Sequence, residues 1–156
     1  MNIKSVLAKP FAKRIAKRIY KYSNNAIKTQ QKVLKKLIAE ASKTKFGKDH
    51  NFSKISNYND FKNQVPIRDY EALKSYVEEV VEGEPDILWK EKPLYFAKTS
   101  GTTSGTKYIP LTKESLPNHI EAARNALLLY INETQKSDFL NGKMIFLQGS
   151  PELSDT

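Results

Sequence analysis

Apolar residues recur at helical intervals through most of the chain and change to strand-like runs only near its centre. In "KPFAKRIAKRIYKY", residues 9–22, Phe11, Ile15, Ile19 and Tyr22 share one helical face, while Lys13, Arg14, Lys17, Arg18 and Lys21 fall mostly elsewhere. Pro10 is expected to open this helix, because a first turn has no use for the missing N–H. "SNN" at 23–25 interrupts the pattern, and Asn25 suits the N-cap of a second helix. There Ile27, Leu34, Leu37, Ile38 and Ala41 form the apolar stripe, and "KFGK" closes it with Gly47 just past the end.

Residues 49–92 combine loops with short helices. A short helix is expected near Asp60 to Gln64, with Val65 extended because proline follows it. Asp69 suits an N-cap. Tyr70, Leu73, Val77, Val80 and Val81 then line one helical face, and Gly83 stops the helix. Glu78, Glu79 and Glu82 read as a solvated face. Trp89 reads as packing rather than a stacking platform, because no basic or aromatic residues interleave with it.

From residue 93 the period changes. "PLYFA" (93–97) and "YIPLT" (108–112) are β-prone runs, with Pro110 marking an edge or a strand end. Thr112 or Ser115 can cap a long helix that buries Leu116, Ile120, Ala123, Leu127 and Ile131, with Pro117 in its first turn. His119 and Arg124 read as its solvated face. "MIFLQ", Met144 to Gln148, reads as a buried strand ending in a Gly-Ser-Pro turn.

Composition narrows the function. The 156 residues contain no cysteine and two isolated histidines, His50 and His119, which excludes disulfide frameworks and typical zinc sites. The longest apolar run, "ALLLYI", is too short to span a bilayer, so a soluble, cytoplasmic protein is expected. The net charge of +9 is uneven. Residues 1–48 hold 14 Lys or Arg and one acid, Glu40 (+13), whereas residues 49–156 hold 12 bases and 16 acids (−4). The basicity belongs to the first third, which argues against nucleic acid as a partner of the whole surface. That arm suits either a core-docked helix pair with solvated lysines or a basic surface for anionic lipid or RNA. It is acid-poor like a transit peptide, yet has no serine enrichment, and its second helix continues as folded structure.

Between the two strand-like runs lies "KTSGTTSGTK", residues 98–107. It lacks the G-x-x-x-x-G-K-[ST] spacing of a nucleoside-triphosphate loop and any G-x-G fingerprint. Its hydroxyls at Thr99, Ser100, Thr102, Thr103 and Ser104 can nevertheless donate to phosphate oxygens. Gly101 and Gly105 allow successive N–H groups to turn to one side as an anion nest, and Lys107 adds a point charge. The plainer alternative is a polar hairpin turn.

"TSGTTSGTK" resembles the phosphate-binding T-S-G-T-T-G-x-P-K signature of the adenylate-forming superfamily, matching at Thr99, Ser100, Gly101, Thr102, Thr103 and Lys107. Ser104, Gly105 and Thr106 depart from it. With the following "YIPLT", that departure looks like the auxin-responsive acyl-amido synthetase branch, whose loops are of the S-G-T-[ST]-S-G type. Two further elements resemble that branch: "T-x-[FY]-G-K-x-x-[FND]-F" at Thr44 to Phe52, and "[FY]-x-x-x-V-P-[IV]-x-x-Y-E" at Phe61 to Glu71.

The resemblance implies an ATP-dependent ligase. A carboxylic acid attacks ATP to give an acyl-adenylate, pyrophosphate leaves, and an amine such as an amino acid displaces AMP. Thr99 to Gly105 and Lys107 would hold the β- and γ-phosphates, and Mg²⁺ would accompany the nucleotide. It also implies a mixed α/β fold: a basic helical arm (1–48), a loop and helix segment (49–92), and the phosphate-loop strands with the long helix (93–156). Such enzymes run to several hundred residues, so an N-terminal fragment with an incomplete sheet, inactive in isolation, is expected. Two other functions stand beside this one: a non-enzymatic phosphate-binding scaffold, and a basic membrane or nucleic-acid module driven by residues 1–48.

Overall fold

The structure, a computed structural model, describes residues 3–99, 105–143 and 145. These residues are mostly helical, with one two-stranded antiparallel sheet among them. The order is α1 (Ile3–Ser23), α2 (Ala26–Ala41), α3 (Lys45–Asp49), α4 (Tyr58–Gln64), α5 (Tyr70–Val81), β1 (Tyr95–Thr99), β2 (Lys107–Leu111) and α6 (Leu116–Thr134). Short 3-10 turns occupy Phe52–Lys54 and Asp138–Asn141. The chain divides into two compact units, residues 1–21 with 122–156, and residues 22–121.

In the first unit, Ala12 and Ile15 of α1 close on Leu128 and Ile131 of α6, with Ala8, Ile19, Phe139 and Leu140 packed around them. Small residues at 8 and 12 let the helix backbone approach, and Ile131, 1% exposed, fills the centre. The Ser5 and Ser137 hydroxyls share a buried hydrogen bond, and Tyr20 donates to Glu133. Two details differ from the sequence reading. Pro10 lies inside α1 rather than opening it, because the helix begins a full turn and more earlier. Phe11 and Tyr22 are exposed, since the buried stripe runs through Ala8, Ala12, Ile15 and Ile19 instead.

In the second unit, Ile38, Ala41 and Phe52 form the core, lined by Leu34, Phe46, Ile55, Phe61, Val65 and Trp89. Ile27 and Leu37 of the predicted α2 stripe remain exposed. Asn25 occupies the α2 N-cap position, but its side chain makes no capping bond. Gly47 does not end α2. It sits inside α3, where a Cβ would lie 2.0 Å from the Ala41 carbonyl oxygen. The absence of a side chain is what lets α3 fold back on the end of α2, and the Thr44 hydroxyl caps α3 by accepting the Gly47 N–H at 3.0 Å.

Helices α4 and α5 follow the sequence closely. Val65 is extended before Pro66, and the Asp69 carboxylate accepts the Ala72 N–H at 2.9 Å. Gly83, at φ 94°, ends α5: its N–H reaches the Val80 carbonyl and the Glu84 N–H reaches that of Glu79, a Schellman closure. Of the α5 face, Val77 and Val80 are buried. Glu79 is paired with Lys45, and Glu78 with Lys74 one turn back, which offsets the crowding of acids at this helix end.

The two strands pair from Tyr95 opposite Leu111 to Thr99 opposite Lys107, and among the described residues no third strand joins them. Pro110 stands opposite Phe96, which a two-stranded ribbon tolerates because both strands are edges. Thr112 and Ser115 act together before α6, each hydroxyl accepting the other's N–H. The expected strand at Met144 to Gln148 lies outside the described residues, apart from Ile145.

Candidate functional site

The antiparallel register sets the geometry of the Ser/Thr/Gly loop. Thr99 is the last residue of β1 and Lys107 the first of β2, and they face each other across the mouth of the connection. Ser100, Gly101, Thr102, Thr103 and Ser104 lie outside the described residues. Gly105 has φ 78°, and among the described residues nothing lies within 4 Å of where a Cβ would stand. That left-handed backbone conformation is what favours glycine here.

The return strand is held by α5. The Tyr108 N–H donates to the Tyr70 hydroxyl at 3.0 Å, and the Lys107 ammonium lies 5.4 Å from the centre of the Tyr70 ring. The ring face attracts the cation without neutralising it, so Lys107 is steadied while its charge is kept. Tyr70 is the first residue of α5, directly after the Asp69 cap, so the cap also fixes where this ring stands. Phe96 meets Tyr108 edge to face at 6.1 Å and stiffens the ribbon. Sequence reasoning placed Tyr70 on the apolar face of its helix and missed its link to Lys107. No local pattern announces a pair 37 positions apart.

Beside the far end of β2 is a groove of 510 Å³, lined in part by Leu37, Trp89, Lys90, Pro110 and Glu114. Lys90 bridges Glu40 at 2.7 Å and Glu114 at 3.5 Å, and the Trp89 indole N–H donates to Glu114 at 3.3 Å. The Lys90 hydrogen bond and charge hold the Glu40 carboxyl below its usual range, and the same bond raises Lys90. Trp89 thus packs on the core, as its sequence context suggested, and also joins a polar cluster that the sequence did not reveal.

His119 and Arg124 lie on the exposed surface of α6, as read from the sequence. His50 is buried, stacked on Phe46 at 4.0 Å with its Nδ1 2.8 Å from the Phe46 carbonyl oxygen, a packed core histidine. Among the described residues no group of three or more His, Cys, Asp or Glu could hold a metal ion, and no helix is long and apolar enough to cross a membrane.

A hairpin that presents a Ser/Thr/Gly loop between a threonine and a lysine, on a mostly helical mixed α/β scaffold, is the class of segment the geometry defines. The GH3 family N-terminal domain matches residues 15–156, and the chain belongs to that family, the auxin-responsive acyl-amido synthetases. It is 32% identical over 111 residues to indole-3-acetic acid-amido synthetase GH3.15 of Arabidopsis thaliana, covering 69% of this chain and 18% of that protein. It is 41% identical over 58 residues to the probable indole-3-acetic acid-amido synthetase GH3.13 of Oryza sativa subsp. japonica, covering 36% of this chain and 12% of that protein. A third relative, probable indole-3-acetic acid-amido synthetase GH3.1 of Arabidopsis thaliana, is 27% identical over 120 residues, covering 74% of this chain and 20% of that protein. The chain spans a fifth or less of the length of these relatives.

Proposed function

We propose that this chain supplies the phosphate-gripping segment of an ATP-dependent acyl-amido synthetase acting in the cytoplasm. Its substrates are ATP, a carboxylic acid and an amine. The observation that carries this reading is the hairpin register, which sets Thr99 against Lys107 at the mouth of a loop rich in hydroxyls and glycine. Family membership supports it independently.

The chemistry follows from the poor leaving group of a carboxylate. One carboxylate oxygen attacks the α-phosphorus of ATP, the bond to the bridging oxygen breaks, and pyrophosphate departs with its electron pair. The amine nitrogen then attacks the acyl carbonyl, AMP leaves, and the amine loses a proton as the amide forms. In the first step the loop's work is positional and electrostatic. Hydroxyls and N–H groups hold the β- and γ-phosphates, and Lys107 offsets charge as it moves onto the leaving group. Magnesium would accompany the nucleotide and offset the charge of its phosphates.

The test uses a full-length enzyme carrying this segment. Thr103→Ala and Lys107→Ala each remove a contact worth about 1.5 to 3 kcal/mol if it is made to charged oxygen. Pyrophosphate release should slow by roughly ten- to more than a hundredfold. Amide formation from supplied acyl-adenylate should hold its rate, because the β- and γ-phosphates are absent from that step. Equal loss in both half-reactions would make the loop structural. Loss in neither would leave it a polar turn. Nucleotide binding with no turnover in the full-length protein would favour the scaffold reading.

A further inference from the structure

We propose that the outward face of α1 docks the protein on an anionic lipid bilayer. The inward face of this helix is committed, with Ala8, Ala12, Ile15 and Ile19 closing the core of the first unit. On its other side Val6, Leu7 and Phe11 are 44%, 64% and 48% exposed, a large apolar fraction left in water. Helical spacing sets Leu7, Phe11, Arg14 and Arg18 along one ridge, at i, i+4, i+7 and i+11. Exposed Lys9, Lys13 and Lys17 follow alongside, and α1 contains no acidic residue.

The order along the ridge is apolar first and basic after. This is the pattern of a helix whose apolar end enters the headgroup layer while its cations meet lipid phosphates. The charge also selects among occupants. A second copy would bring the same cationic face and be repelled. An RNA backbone would engage the lysines but give exposed Val6, Leu7 and Phe11 nothing to bury against. A bilayer satisfies both halves of the surface. Residues 3–14 of α1, which carry this apolar tip, precede the family match, which begins at residue 15.

The test is cosedimentation of the whole chain with phosphatidylcholine vesicles, with and without phosphatidylserine, at low and high salt. Binding is expected only to the vesicles with phosphatidylserine, weakening as salt screens the cations. Leu7→Asp with Phe11→Asp should lower the apparent affinity at least about tenfold, and Lys13→Ala and Lys17→Ala about fivefold each. Ile27→Asp, on α2 and 75% exposed, should leave it unchanged. All these positions are solvent-facing, and circular dichroism of each variant checks that its fold is kept. Phe11→Trp gives a gain-of-signal version, with emission expected to shift to the blue on anionic vesicles alone. Equal binding to both vesicle types, no binding, or an unshifted tryptophan would overturn the proposal. So would RNA binding that competes with vesicles and survives the Leu7 and Phe11 changes.

Discussion

Two glycines solve opposite problems. At Gly47 an added methyl would overlap the Ala41 carbonyl oxygen, and that oxygen belongs to a helix end that cannot retreat without opening the core. At Gly105 no described residue would meet a methyl, but φ is 78°. Gly47→Ala is therefore expected to cost about 1 to 3 kcal/mol or more, in the manner of overpacking. Gly105→Ala should cost about 1 to 2 kcal/mol from the left-handed backbone alone, and Gly105→Asn less. Urea unfolding midpoints separate the two causes. If asparagine proved as harmful as alanine at Gly105, conformation would not be the reason for glycine there. The sequence marked both positions as glycine but gave Gly47 the wrong task, because a close approach between α3 and the end of α2 leaves no local signature.

At the scale of elements, the helix starts carry the clearest chemistry. The Asn57 side chain accepts the Asn59 and Asp60 N–H groups at 2.8 and 3.1 Å, and the Asp60 carboxylate returns to the Ser56 N–H and hydroxyl. The Ser56 hydroxyl, then its N–H, with help from Asn57, hold the Asp60 carboxyl below its usual range. A carboxylate depressed on folding adds stability that is complete above its unfolded pKa, about 3.9, and is lost as pH falls through the lower folded value. The difference in urea midpoint between the wild-type chain and Asp60→Ala should thus be constant near neutrality and shrink below about pH 4. A gap that widened on acidification would contradict this. Caps such as Asp69 and the Thr112–Ser115 pair were legible in the sequence because each acts within a single turn. The buried face of α6 was not. Its apolar residues surround much of the helix, and only the partners at Ala12 and Ile15 select Leu128 and Ile131 over Ile120 and Leu127.

Each of the two compact units has its own core, one around Ile131 and one around Phe52. Ile131→Ala should cost about 2 to 5 kcal/mol and Phe52→Ala about 3 to 5 kcal/mol. Separate cores predict that the losses stay local. Hydrogen exchange should show amides in residues 3–21 and 122–143 losing most protection with Ile131→Ala, and those in 22–99 and 105–121 with Phe52→Ala. Uniform loss in both variants would mean a single cooperative body.

The sequence by itself determined the helix and strand periods, the caps at Asp69, Gly83 and the start of α6, the uneven charge and the loop motif between two strands. All of these depend on residues a few positions apart, and the family resemblance rested on the same short ordered segments. Tertiary structure alone decided which face of α1 and α6 is buried, why Gly47 has no side chain, and that Tyr70 holds Lys107 at the mouth of the loop. It likewise drew Glu40, Trp89, Lys90 and Glu114 into one cluster. Those outcomes depend on contacts between residues distant along the chain, where the partner, and not the local pattern, sets the energy.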